Sequence, residues 1–198
     1  MWSSRSCYRT PRWWRGGRGG APEFPSKDSV GRLATRRITD ATFAPDPQAT
    51  IKKRHSSYAP GDSDLAWSRI TYWRALLAAA LDEPPHQPVE SVTVSGLREE
   101  PALDILAGWL ARRLGCPVYR RTGELKVELF RPTVTVAIAR PQTGVTATLT
   151  RTGDPEQRIA LARRETRDCL AEELRRLDAD EIYAEALAGI ERVTYDHQ

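Results

Sequence analysis

The stretch "PVESVTVSGLREEPALDILAGWLARRLGCPVYRR", Pro88 to Arg121, decides how the chain is organised. Val89, Val92 and Val94 read as a buried strand that stops at Gly96. Glu99, Glu100 and Pro101 then supply first-turn chemistry for a helix whose stripe is Leu103, Leu106, Leu110 and Leu114. Arg112 and Arg113 suit its negative end, and Gly115 suits its stop. "CPVYRR" from Cys116 reads as the next strand. Strand, helix and strand in this order make a parallel, right-handed crossover.

Downstream the hydrophobic period changes to two. "ELKVELFR", "TVTVAIAR" and "GVTATLTRT" place Leu125, Val127 and Leu129, then Val134, Val136 and Ile138, then Val145, Ala147 and Leu149 on alternating positions. Arg131-Pro132 and Pro141 to Gly144 separate them as turns, which gives an antiparallel meander with one buried face. Arg158–Arg163 is a candidate further strand. Two helices follow, one striped by Leu170, Leu174 and Leu177, the other by Ile182, Leu187, Ile190 and Val193. The expected fold is mixed α/β (α+β): one mixed sheet with helices packed against it.

Upstream the reading is helical. Val30, Leu33, Ala34, Arg37 and Ile38 sit at helical spacings behind Asp28 or Ser29 as cap, and a second short helix is expected near Asp46–His55. "GDSDLAWSRITYWRALLAAALDEPP", Gly61 to Pro85, is the most strongly patterned helix, with Asp62, Ser63 and Asp64 as its first turn. Leu65, Ala66, Ile70, Trp73, Leu76, Leu77, Ala80 and Leu81 fill one broad arc. Arg69 lies inside that arc, with Trp67 and Arg74 at its edge. A guanidinium there keeps its charge, so it requires a carboxylate, backbone carbonyls or an aromatic face such as Trp73. Snorkelling or an internal ion pair is one reading, and a partner contact is the other. The expected division is a disordered or non-native basic arm over 1–27, a helical segment over 28–86 and an α/β C-terminal domain over 87–198.

Charge is uneven along the 198 residues. Residues 1–56 hold 12 Lys/Arg against 4 Asp/Glu, and the remainder holds 18 against 22. The basic excess therefore belongs to the N-terminal part, whose Arg, Gly and Trp allow a nucleic-acid-binding arm as an alternative function. A different reading of "MWSSRSCYRTPRWWRGGRGG" is a frame error or a misplaced start. Back-translated with G/C-rich codons and shifted by one base, Cys7 to Gly19 permits LLPDAPVVAWWPG, a strand-like phrase with a Pro-Gly stop.

Catalytic signatures are lacking in the sequence. Gly16-Gly17 and Gly19-Gly20 have no strand before and no helix after, and no phosphate-binding loop of the Gly-x-x-x-x-Gly-Lys type occurs. Cys7, Cys116 and Cys169 are odd in number and far apart, which suits a reducing cytoplasm and argues against zinc or a disulfide framework. Asp62-Ser63-Asp64 reads as a cap before a cation site, and Ser63, Ser91 and Ser95 carry no activated-nucleophile signature. The expectation is no enzyme, no metal and no cofactor, with a small enzyme of unrecognised site as a further possibility.

"VGRLATRRITD" (Val30–Asp40), "YAPGDSDLAWSRITYWRALLAAALD" (Tyr58–Asp82) and "VTVSG" (Val92–Gly96) together resemble the actinobacterial OpcA family of glucose-6-phosphate dehydrogenase assembly proteins. The PGDSDLAW string followed by Arg69, Trp73 and Arg74 is the specific part. The resemblance implies a non-catalytic cytoplasmic partner of glucose-6-phosphate dehydrogenase that promotes its active oligomer in the oxidative pentose phosphate pathway. Family members carry a strand ending Trp-Trp-Pro-Gly where this chain has Arg12-Trp13-Trp14-Arg15. The site hypothesis is that Trp67, Arg69, Trp73 and Arg74, residue types that dominate interfaces, form the partner-binding face.

Overall fold

A computed structural model describes residues 21–196 apart from 142 and 177. The Arg/Gly/Trp arm, its shifted-frame phrase and Leu177 lie outside the described residues.

In chain order, short 3-10 turns at Pro25–Lys27 and Gly31–Leu33 lead to strand β1 (Arg37–Thr39), and a third at Ala41–Phe43 leads to helix α1 (Pro47–Ser57). Strand β2 (Asp62–Asp64), helix α2 (Leu65–Arg69) and helix α3 (Thr71–Asp82) follow. The expected helix over 28–40 does not form. Arg36, Arg37, Ile38 and Thr39 are all buried, and four consecutive buried residues demand contacts on both sides, which a one-faced helix does not give. Instead β1 pairs in parallel with β2, matching Arg37 to Asp62, Ile38 to Ser63 and Thr39 to Asp64.

The single long helix expected from Asp62 is also divided. Its first turn is β2, Asp64 caps α2 by accepting from the Ala66 N–H, and the chain breaks at Ile70 (φ −96°, ψ 8°). The break coincides with Arg164 donating to the Ser68 carbonyl at 2.7 Å, which takes an acceptor that a continuous helix would use.

The Pro88–Arg121 reading holds. Strand β3 (Ser91–Gly96), helix α4 (Pro101–Leu114) and strand β4 (Val118–Thr122) form the crossover, and β3 and β4 pair in parallel with Val92 opposite Val118. Pro101 opens α4, and Gly115 closes it in the left-handed conformation at φ 67°. The meander is β5 (Lys126–Phe130), β6 (Thr135–Ala139), β7 (Thr146–Arg151) and β8 (Gln157–Ala160). Helices α5 (Thr166–Arg175) and α6 (Glu181–Gly189) follow, and β9 (Val193–Tyr195) ends the described chain. The seven-stranded sheet has the order β8-β7-β6-β5-β3-β4-β9, with β9 parallel to β4 and the meander antiparallel. Val193 therefore belongs to an edge strand and not to the last helix.

Val92, Val94, Val127, Leu129, Val136, Ile138 and Ala147 face the core, which α4 and α6 close. One apolar cluster runs from Ala41 to Val193 and takes in Trp67, Trp73 and Leu77, so the N-terminal helices and the sheet share a core. On the sheet's opposite side Ser91, Thr93, Ser95, Tyr119, Arg121, Glu128 and Phe130 line a shallow surface. Val145, expected inward, is exposed at the start of the meander's last hairpin. No helix among the described residues is long and apolar enough to cross a membrane.

The leucine stripe of α5 is replaced. Cys169 and Glu173 are its buried residues, whereas Leu174 is 37% exposed. A carboxylate takes the inward position because it has cationic and hydroxyl partners there.

Candidate interaction site around the Trp67 helix

The PGDSDLAW motif wires three segments together, one residue at a time. The Pro60 carbonyl accepts from Arg37 Nη2 at 2.6 Å, and the Gly61 carbonyl accepts from the Arg37 N–H at 2.9 Å. Gly61 itself sits at φ 94°, and a Cβ there would lie 2.3 Å from the Thr35 carbonyl oxygen, so only glycine fits. Asp62 accepts from the Ala59 N–H at 2.8 Å and pairs with Arg37 Nε. Asp64 accepts from Thr39 Oγ1 at 2.6 Å, from the Ala41 N–H at 3.0 Å and from the Ala66 N–H at 2.9 Å.

The other contacts reach the C-terminal helices. Ser63 Oγ donates to Glu173 Oε2 at 2.5 Å, Ser68 Oγ donates to Glu173 Oε1, and Arg36 Nη2 joins the same carboxylate at 3.0 Å. Arg36 Nη1 also donates to the Asp178 carbonyl at 2.6 Å. Trp67 Nε1 donates to Asp180 Oδ2 at 2.9 Å, and Arg176 pairs with that same oxygen. Asp180 Oδ1 caps α6 through the Tyr183 N–H at 3.0 Å. Glu173 is completely buried, so its negative charge depends on Arg36 and two hydroxyls inside the protein.

Burial dominates the electrostatics. It pushes the Asp64 carboxyl above its ordinary value, although its hydrogen bonds from Thr39, Ala66 and Ala41 oppose the shift. Burial also raises both described thiols, Cys116 and Cys169, which are free and unactivated. Among the described residues no group of three or more His, Cys, Asp or Glu is arranged to hold a metal ion.

The four residues singled out from the sequence divide into two pairs. Trp67 is 0% exposed and Trp73 is 3% exposed, so both indoles are core and offer no surface for direct contact. Trp67 packs beside Tyr183 at 5.9 Å between ring centroids. Arg69 and Arg74 reach the surface. Arg69 forms a two-pronged ion pair with Asp40, 2.7 Å on each prong, and also touches Thr42 Oγ1 at 3.0 Å and Thr166 Oγ1 at 3.4 Å. That carboxylate is what an arginine inside an apolar arc requires. The expected stack on Trp73 is replaced by a different one: Arg74 lies over the Trp67 ring at 3.6 Å. Burial there lowers the Arg74 guanidinium to about 10. Tyr72, between the two arginines, is half exposed.

Arg36, Asp40, Glu173, Asp180 and Glu172, which accepts from Thr71 Oγ1 at 2.9 Å, complete the site and were not singled out from the sequence. Their signal is faint. Arg36-Arg37 precedes the apolar Ile38, and Glu172-Glu173 interrupts a leucine pattern, but nothing local names the partner.

The family model for the carboxy-terminal domain of the glucose-6-phosphate dehydrogenase subunit, of the OpcA type, matches residues 60–187, from the PGDSDLAW motif to α6. The chain belongs to this family. The OpcA-type match thus covers the bonds of Ser63 and Ser68 to Glu173 and the whole meander, while Arg36 lies before it. No curated protein matches the chain. Among solved structures, KijD10, a 3-ketoreductase from Actinomadura kijaniata, is similar with a TM-score of 0.50 at 9% identity, over 89% of this chain and 78% of that one. A mutant of the same protein gives 0.51 at 10% identity, over 88% and 77%. UDP-N-acetylglucosamine 3-dehydrogenase GnnA from Acidithiobacillus ferrooxidans gives 0.46 at 12% identity, over 85% and 74%. At such identities the KijD10 likeness concerns the fold alone.

Proposed function

We propose that the chain is a non-catalytic assembly factor that binds glucose-6-phosphate dehydrogenase, favours its active oligomer and raises its activity in the oxidative pentose phosphate pathway of the cytoplasm. The observation that carries this reading is membership of the OpcA-type family, whose description names a glucose-6-phosphate dehydrogenase subunit. A non-catalytic role is supported by the motif chemistry: its hydroxyls and carboxylates are bonded to one another inside the protein. The docking face proposed is the exposed rim where α2 meets α3, namely Arg69 with its partner Asp40, and Tyr72 and Arg74 of α3. Trp67 and Trp73 support that rim from the core.

Mixing the purified chain with its cognate dehydrogenase, and measuring complex mass and catalytic rate together, tests the reading. A larger complex with faster turnover is expected; identical mass and rate with and without the chain would overturn it. Arg69→Ala is expected to cost about 1–3 kcal/mol of stability, since it strands Asp40, and to abolish most of the activation at temperatures where the variant stays folded. Activation unchanged in the folded variant would move the docking face elsewhere.

A further inference from the structure

A second site lies next to the Trp67 helix, at the carboxyl end of β3, where the chain turns into α4. A cleft of about 80 Å³ is lined there by Arg69, Arg140, Arg163 and Arg164, with Glu100, Trp73 and the first turn of α4. Its location fits the general rule for open α/β sheets, where ligands bind outside the carboxyl ends of the strands.

The four guanidiniums are not equivalent. Arg69 is held by Asp40, and Arg164 by Glu172. Arg140 and Arg163 form no ion pair among the described residues. Arg163 is exposed at the mouth, but Arg140 is only 5% exposed. Other buried arginines show what such a group ordinarily receives. Arg36, Arg37 and Arg120 each face a carboxylate, and Arg131 takes the carbonyls of Leu81, Glu83 and Pro85. Arg140 has one carbonyl, that of Leu161 at 3.1 Å, and the Trp73 ring at 5.8 Å. A buried guanidinium with so little opposing charge is a site built for an anion. The α4 N-terminus adds its dipole: that helix opens without a side-chain cap beside the cleft, although Pro101 has no N–H and the Leu103 N–H already donates to the Glu100 carbonyl at 3.0 Å.

Charge balance selects the anion. Two unpaired guanidiniums against the single carboxylate of Glu100, plus the half charge of a helix N-terminus, leave about +1.5. A carboxylate supplies −1, whereas a phosphomonoester supplies about −1.5 to −2 at neutral pH. We propose that this cleft binds the phosphate group of a small phosphorylated metabolite, with Arg140 and Arg163 as its clamp and the positive end of the α4 dipole behind it. The volume suits a phosphate group, with the organic part of the ester leaving past Arg163.

The test is thermal shift and calorimetric titration of the full chain with potassium phosphate, against potassium chloride at matched ionic strength. Glucose 6-phosphate and potassium acetate form two further arms. Phosphate is expected to stabilise the chain beyond chloride and acetate. Tighter binding of the ester than of free phosphate assigns the site to a metabolite. Arg163→Gln, at an exposed position that leaves folding intact, and Arg140→Met should each weaken binding at least tenfold. Equal effects of phosphate, acetate and chloride would overturn the proposal. Unchanged phosphate affinity in Arg163→Gln would do the same, as would an ester that binds no better than free phosphate. The readout uses no dehydrogenase, so the outcome is independent of the assembly role.

Discussion

At the scale of single residues, the carboxylate of Glu173 is the part of the molecule most exposed to substitution. It is buried, and it satisfies Arg36, Ser63 and Ser68 at once. Glu173→Ala leaves the Arg36 charge buried without its partner, and the expected loss is about 3–5 kcal/mol by denaturant unfolding. The double variant Arg36→Met with Glu173→Leu removes both charges and should recover a large part of that loss. Asp104 makes a different prediction. Burial outweighs its ion pair with Arg120 and raises its carboxyl from 3.8 to about 6. A raised acid binds its proton more tightly in the folded state, so its contribution is fully present below about pH 4. It is lost as pH rises through about 6. Relative to Asp104→Asn, the wild type should therefore lose stability between pH 4 and pH 6, by about 3 kcal/mol at most, and show no further difference above pH 7. A constant gap across that range would assign the titration elsewhere.

At the scale of elements, α4 and α6 approach each other backbone to backbone. A Cβ on Gly108 would lie 2.3 Å from the Ala186 carbonyl oxygen, and one on Gly189 would lie 2.0 Å from the Gly108 carbonyl oxygen. Both neighbours are backbone, so the helices would have to part. Gly108→Ala should cost about 1–3 kcal/mol despite its better helix propensity, measured as a lower midpoint in urea. The elements also explain what could be read from the chain. The crossover from Ser91 to Thr122 and the meander were legible because their apolar positions repeat at a helical or two-residue period. Strands β1 and β2 were not, since three residues hold too short a pattern and their burial is on both sides. In α5 the leucines misled: an acidic residue faced inward because partners far away in sequence made that the better arrangement.

At the scale of the whole molecule, the distinction between a helical N-terminal segment and an α/β remainder describes composition better than packing, because one apolar cluster spans both. The candidate site was legible in residue type and not in exposure. Arginine and tryptophan at positions 67 to 74 drew attention to this segment, but a sequence does not say which indole is covered. Trp67 is fully enclosed, so Trp67→Ala should lower stability by about 3–5 kcal/mol. Arg69→Ala should cost less stability, about 1–3 kcal/mol, and should also weaken the dehydrogenase complex. Calorimetry of the free chain beside activation assays of both variants separates core from rim.

The hydrogen bonds to Glu173 close separations of 137, 110 and 105 residues. Contacts that distant are expected to form late, after the meander and the crossover have assembled from nearer pairings. Glu173→Ala should therefore quicken unfolding several-fold while leaving the refolding rate almost untouched, a φ-value near zero in stopped-flow chevrons. The family motif would then act as a clasp, setting how long the finished molecule stays shut and leaving the speed of its assembly to the sheet.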